Sequence, residues 1–201
     1  MQHGGTRKTI LEVSAGLFAS KGYSAVSMRD IAAAVGVTVG NLYYHFADKE
    51  ELVRASLTYV FSERMSPLEG LLKQHASPHD RLEAFVLWFV GEIFGEEPFT
   101  RLILRELLDG TAERLEYLAK TVFKEPFTLT TKLIADCAGT SDPVMSADFV
   151  ASLVLGSYQF ARVLPHLTGG GPEDASSDAV ARHVLRLIRT TFPLGKGVSG
   201  R

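Results

Sequence analysis

The stretch VGVTVGNLYYHF, residues 35–46, decides how the chain is read. Thr38 can cap a helix, and Val37 and Leu42 are spaced as the apolar staple across its start. The helix that follows holds a glycine, an amide, two adjacent tyrosines and a histidine, a poor set for filling a core. At roughly 100° per residue, Leu42 and Phe46 share one face. Gly40 and Tyr44 then point most directly away from it. Asn41 and Tyr43 flank them, and His45 lies nearer the buried edge. The pattern predicts a short helix with a core side and an outward side rich in hydrogen-bonding groups.

Upstream, Ser27 followed by Asp30 forms a capping box, with Val26 and Ile31 as its staple. Gly36 suits the left-handed position that ends a helix. Two short helices, near 28–34 and 38–44, joined through that glycine make a helix-turn-helix. Asp48 and Glu51 repeat the capping arrangement and open a longer helix, from 48 to about 64. A first helix is expected near 7–20.

The outward face suits the major groove of DNA. Gly40 lets the backbone approach, Asn41 and Tyr44 offer donors and acceptors to base edges, and Val39 can meet a thymine methyl. Tyr43 and His45 can bond phosphates on the two walls. Lys49, at the first position of the next helix, adds positive charge near free N–H groups. Ser27 and Arg29 hold the same role at the start of the second helix, where the motif crosses the DNA backbone. The alternative is a helical small-molecule-binding protein that reads no DNA sequence; the polar face of 40–44 argues against it.

Residues 7–52, RKTILEVSAGLFASKGYSAVSMRDIAAAVGVTVGNLYYHFADKEEL, resemble the DNA-binding domain of the TetR family of transcriptional regulators. The matching register is GYxxxSxxxIAxxxGVxxGxLYxHFxxKEEL. The resemblance covers about the first quarter of the chain. It implies phosphate or groove contacts at Ser27, Arg29, Thr38, Tyr43, His45 and Lys49, and base contacts at Val39, Gly40, Asn41 and Tyr44. It further implies an all-α fold, with a helix-turn-helix DNA-binding domain at 1–53 and a larger helical ligand-binding and dimerisation domain at 54–201. Partners would be double-stranded operator DNA, a small-molecule effector and a second copy of the chain, with no cofactor. Repression relieved by ligand is the expected sense.

Composition is ordinary for a globular protein, with 46% hydrophobic and 22% charged residues among 201. Net charge is −2, but residues 1–47 carry Arg7, Lys8, Lys21 and Arg29 against only Glu12 and Asp30. The most apolar stretch, FVLWFVGEIF (85–94), is half the length of a membrane span and contains Glu92. MQHGGTRKTILE turns polar before a signal-like apolar run develops, so a cytoplasmic chain is expected. The single cysteine, Cys137, reads as a buried inert thiol. No GxSxG, GxxxxGK[ST] or HExxH is present, so no catalytic or metal-binding residue is assigned. His75 and His79 have helical spacing, but Pro78 between them marks a helix start.

Beyond Pro67 the pattern is of longer, greasier helices near 78–94, 98–108 and 111–137, the last kinked or split at Pro126. Others are expected from Asp142 to about Leu164 and over 175–191, with a glycine-rich turn at 168–174. Between Val144 and Leu164 only Asp148 and Arg162 are charged, so this helix must be buried on most sides. Together with an amphipathic 175–191 (Val180, Val184, Leu187, Ile188, Thr191) it is expected to form a four-helix homodimer seam. The aromatic concentration of Phe85, Trp88 and Phe89 suits an effector cavity, with Arg105, Tyr117, Tyr158 and His166 as polar anchors. The segment RELLDG (105–110) reads as a helix end closed by a salt-bridged turn.

Overall fold

A computed structural model describes residues 3–95, 97–138, 142–169, 171 and 176–191. The chain opens with α1 (His3–Lys21), α2 (Met28–Val35), α3 (Val39–His45) and α4 (Lys49–Met65). It continues with α5 (Leu68–Lys73), α6 (Pro78–Gly95), α7 (Glu97–Asp109) and α8 (Ala112–Tyr117). A π-helical turn, Leu118–Phe123, leads into α9 (Lys124–Ala138), followed by α10 (Pro143–Phe160), α11 (Leu164–Thr168) and α12 (Ser177–Thr191). Among the described residues there is no strand.

Local chemistry explains the starts. Ser27 accepts from the Asp30 N–H and returns its own N–H to the Asp30 carboxylate, a complete capping box. Thr38 accepts from the Asn41 N–H at 3.2 Å. Asp48 accepts from the Glu51 N–H at 2.7 Å, while Glu51 reaches past the cap to the Ala47 N–H at 2.6 Å. Ser77 with Pro78, and Asp142 with Pro143, open α6 and α10 in the same way. Gly36 closes α2 at φ 78°, where its N–H and that of Val37 both reach the Ala32 carbonyl.

Packing divides the chain into two compact units, residues 1–66 with 96–124 and residues 67–95 with 125–201. In the first, α1 packs on α2, α4 and α7, and α2 packs on α3. Ile10, Phe18, Ile31, Leu42, Phe46 and Leu52 form its centre, joined by Leu102, Leu118 and Val122 from later in the chain. The boundary expected at 53/54 therefore does not follow packing: it falls inside α4, and residues 97–123 pack with the N-terminal helices. The reason is non-local, since α7 and the π-turn supply apolar side chains that α1 and α4 need to cover their faces.

In the second unit, α6 is the hub, packed against α5, α10 and α12. Phe85, Val86 and Val90 of α6 are buried, as are Ala147, Val150 and Val154 of α10 and Ala181, Val184 and Ile188 of α12. Cys137 is buried here, and desolvation pushes its thiol up to about 11. A thiol so held reacts only as its small thiolate fraction allows.

Three local expectations are corrected. Helix α5 is absent from the sequence pattern because six residues give one turn of periodicity, although Leu68 and Leu72 are buried one turn apart. The long segment to Leu164 ends earlier, at Phe160, and a separate short helix begins at Leu164 with Pro165 in its first turn, where its missing N–H costs no helical bond. Pro126 lies inside α9 rather than at a break, and the distortion falls upstream, at 118–123. Proline has no N–H for the Val122 carbonyl, and a widened turn relieves that mismatch. The glycine-rich turn lies mostly outside the described residues, as does the Thr191 side chain.

Leu42 is fully buried whereas Tyr44 on the same helix is 80% exposed. Leu42→Ala should cost about 2–5 kcal/mol in urea unfolding, and Tyr44→Ala about 0.5 kcal/mol or less. Equal losses would show that α3 does not present two faces.

Candidate nucleic-acid interface

Helix α3 is held by its apolar side. Leu42 and Phe46 enter the unit's core at 0% and 1% exposure, and the Arg7 guanidinium covers the Phe46 ring at 5.1 Å. What remains outside is the predicted outward face. Tyr44 is the most exposed large apolar side chain in the chain's described residues, at 80%, and Tyr43 follows on its flank at 53%. Gly40 is exposed between them and the N-cap Thr38. His45 is half-buried, its ring edge-on to Tyr44 at 5.1 Å and 80°. Val39 is half-buried and packs on the core cluster.

Asn41 is also half-buried, and its Oδ1 is shielded with no hydrogen-bond partner among the described residues. An unpaired buried carbonyl is costly, so the amide has reason to turn when a donor or acceptor arrives from outside. At the start of α2, Ser27 and Arg29 are exposed on the solvent side. Ser27 is committed to its cap: its hydroxyl donates to the Asp30 carboxylate at 2.6 Å. This bond and the one from the Ser27 N–H hold the Asp30 carboxyl below its ordinary value.

Lys49 departs from expectation. Its ammonium turns inward, donating to the Tyr23 and Val26 carbonyls at 2.9 Å each and lying 4.1 Å from the Tyr23 ring centre. It ties the α1–α2 connection to the first turn of α4 rather than standing free for phosphate. Arg7, beside Phe46, is an exposed cation that the spacing rules do not single out; its only sequence signal is the basic pair Arg7-Lys8 before the first apolar run.

The effector candidates fall into two groups. In the second unit, Phe85 packs against Trp88 and Phe89 at 5.9 Å each, and Phe94 meets Tyr158 edge-on at 5.5 Å. The Trp88 Nε1 is buried with no acceptor among the described residues. His166 is exposed on α11. Arg105 and Tyr117 belong to the first unit and are committed there: Arg105 donates to the Ser20 carbonyl at 3.2 Å, and the Tyr117 hydroxyl meets Thr58 at 2.7 Å. A groove of about 250 Å³ in the second unit is lined by His79, Leu82, Cys137, Leu185 and Ile188, and by none of the seven candidates. His75 lies in the turn before α6 and His79 in its first turn; among the described residues no group of three or more metal-binding side chains forms.

Replacing Ser27 by Ala should lower the thermal midpoint at pH 7. Asp30 titrates below its unfolded value of 3.8, so its contribution is present above that pH and is lost as pH falls through the folded-state value. The midpoint gap between wild type and Ser27→Ala should therefore narrow below pH 3.8; a gap independent of pH would contradict the capping box.

Comparison with known proteins places this geometry. Residues 10–56 match the family described as bacterial regulatory proteins, tetR family. Over 81 residues the chain is 35% identical to the transcriptional repressor KstR2 of Mycobacterium tuberculosis, covering 40% of each chain. Over 124 residues it is 31% identical to KstR2 of Rhodococcus jostii, covering 60% of this chain and 61% of that one. The matched stretch thus spans about 40–60% of these relatives' length. The crystal structure of AibR in complex with isovaleryl coenzyme A and operator DNA shares the fold, with a TM-score of 0.72 at 22% identity, covering 94% of this chain and 99% of that one. Residues 10–56, which hold α2, α3 and the start of α4, are thus a DNA-binding domain of the TetR family type, and the chain as a whole shares the fold of a regulator crystallised on operator DNA.

Proposed function

We propose that the chain is a ligand-responsive repressor that acts in the cytoplasm as a homodimer on a palindromic operator. A small apolar or aromatic molecule releases it. The first unit, through α2 and α3, reads the DNA, and the second carries the effector and dimer surfaces. The observation that carries the reading is the face of α3 opposite Leu42 and Phe46, where Gly40, Tyr43 and Tyr44 stand exposed and Asn41 has a carbonyl without a partner among the described residues. A dimer would set two such helices about 34–36 Å apart in successive major grooves. That AibR was crystallised with an acyl coenzyme A and operator DNA supports both classes of partner.

The dimer seam is best supported on α10 and α11. Met145 and Phe149 are about 60% exposed on α10, and Phe160, Val163 and Leu167 continue the uncovered apolar stripe at 62%, 46% and 70%. Ser152 and Gly156 sit along the same stripe, where small side chains admit a second helix closely. The share expected of α12 is smaller. Its apolar residues Ala181, Val184 and Ile188 are buried within their own unit, and its exposed side carries Arg182, His183, Arg186 and Arg189. For the effector, the unsatisfied Trp88 N–H beside Phe85 suits a molecule with one acceptor on an apolar frame.

Fluorescence anisotropy on the DNA upstream of the gene tests the main reading. Binding should be at least about 10³-fold tighter than to random DNA at the same salt. The double variant Asn41→Ala/Tyr44→Ala should keep fold and random-DNA binding but lose that ratio; unchanged discrimination would remove α3 from the reading role. Phe149→Asp should give a monomer in sedimentation, with operator affinity lost alongside. A variant that stays dimeric would move the seam elsewhere.

A further inference from the structure

We infer that Arg114 is a positioning residue for operator binding, held by Glu106 so that it braces Tyr23 and Glu50 on either side of the helix-turn-helix. The inference rests on the DNA-binding reading above. Arg114 lies outside the matched family region, on α8, yet packs within the first unit. Its side chain is 5% exposed and its guanidinium is engaged on every edge. Nε donates to Glu106 Oε2 at 2.8 Å, Nη1 to Glu50 Oε2 at 3.3 Å and Nη2 to the Asp109 carbonyl at 3.4 Å. The same group lies 4.4 Å from the Tyr23 ring centre.

The turn between α7 and α8 is built for this return. A Cβ at Gly110 would stand 2.3 Å from the Glu106 carbonyl oxygen, so only glycine lets the chain fold back tightly enough to bring Arg114 to Glu106. Thr111 then caps α8 through the Arg114 N–H. A second tether lies alongside. Arg105 donates to the Ser20 carbonyl, and a Cβ at Gly22, already at φ +84°, would come within 2.9 Å of its Nη1. Residues 105–114 therefore grip the end of α1 through Ser20, the connection to α2 through Tyr23, and the first turn of α4 through Glu50. Helices α2 and α3, seated on the core by Ile31, Leu42 and Phe46, lie along the chain between those anchors.

Stability alone is a weak reason for such a cluster. Desolvation of a buried ion pair offsets much of its attraction, and apolar replacements of similar volume are often neutral. What a guanidinium between two carboxylates supplies is direction, because its planar fork accepts few arrangements. That difference makes the role testable.

The test uses the full chain carrying Arg114→Met and Glu106→Met together; Glu50 keeps Arg54 as a partner at 3.1 Å, so no carboxylate is stranded. The probes are a duplex enriched by the wild type from a random pool and an unselected duplex at the same salt. The expected result is an unfolding midpoint at or above wild type, unchanged binding to the unselected duplex, and affinity for the enriched duplex weaker by about tenfold, within the usual range of coupling effects. Without DNA, amides of residues 22–27 and 39–46 should exchange hydrogen faster, while those of α10 should not. Affinity and exchange both equal to wild type would overturn the inference. If the double variant loses midpoint, Arg114→Lys decides. It keeps a cation but cannot fork to both carboxylates, so it should also lose selectivity; wild-type selectivity in this variant would refute the brace. If the wild type enriches no duplex, the DNA-binding reading fails by itself, and the exchange rates still decide whether Arg114 holds α2 and α3.

Discussion

Burial of Leu42 and Phe46 governs the helix-turn-helix of this molecule. Helix α3 has only seven residues, from Val39 to His45. Two fully buried side chains, the second on its C-cap, leave it no rotational freedom. Each burial is worth about 1.5–3 kcal/mol, more than any single polar contact on the opposite side. Once that face is set, Gly40, Tyr43 and Tyr44 must stand in water. The outward face is a consequence of the core.

This dependence explains why so much of the helix-turn-helix was legible in the sequence. A cap is a bond from a side chain to a backbone N–H two or three residues away, so Ser27, Thr38, Asp48, Ser77 and Asp142 could be read from their neighbours alone. The same holds for Gly36, whose left-handed φ follows from the helix it ends. Interactions between distant residues were not legible. Lys49 turns inward because two carbonyls 23 and 26 residues earlier are within reach of its ammonium. Arg114 pairs with Glu106 eight residues away across a glycine turn that separates two helices, so helical periodicity does not bring the two together. RELLDG was read as a salt-bridged helix end, and Glu106 does bridge there, but that the partner also holds Glu50 depends on how α4 packs. The partners of Arg105 and Tyr117 were hidden for the same reason: each polar group meets a residue far away in sequence.

The second unit shows how one composition signal can divide between two roles. Segments 143–164 and 175–191 both looked amphipathic or apolar enough to face a partner. In α12 the moment is spent internally, on Ala181, Val184 and Ile188 against the unit's own core, and arginines face out. In α10 the buried set of Ala147, Val150 and Val154 is matched on another side by Met145 and Phe149, which remain uncovered. A helix with more apolar side chains than its own core can cover needs a second surface; one with just enough does not.

Effector response needs only a modest difference between two states. A ligand that prefers the DNA-incompetent state by about 1–3 kcal/mol already changes operator affinity about 5–150-fold. A difference of that size is too small to come from rebuilding a core, where one lost leucine costs as much. It is well matched to a change in how a buried, fully paired charge is oriented, because the number of ion pairs can stay the same while their direction moves. The first unit keeps such a charge in Arg114, tied to α4 at one end and to the α7–α8 turn at the other. The chain leaves this unit at 66–67, returns to it at 95–96 and leaves again at 124–125, just after the π-turn. Arg114 thus lies on the stretch of chain between that return and the second exit, and it is the residue of that stretch that pairs with the first turn of α4. The core side of α3, set by Leu42 and Phe46, does not depend on that pair.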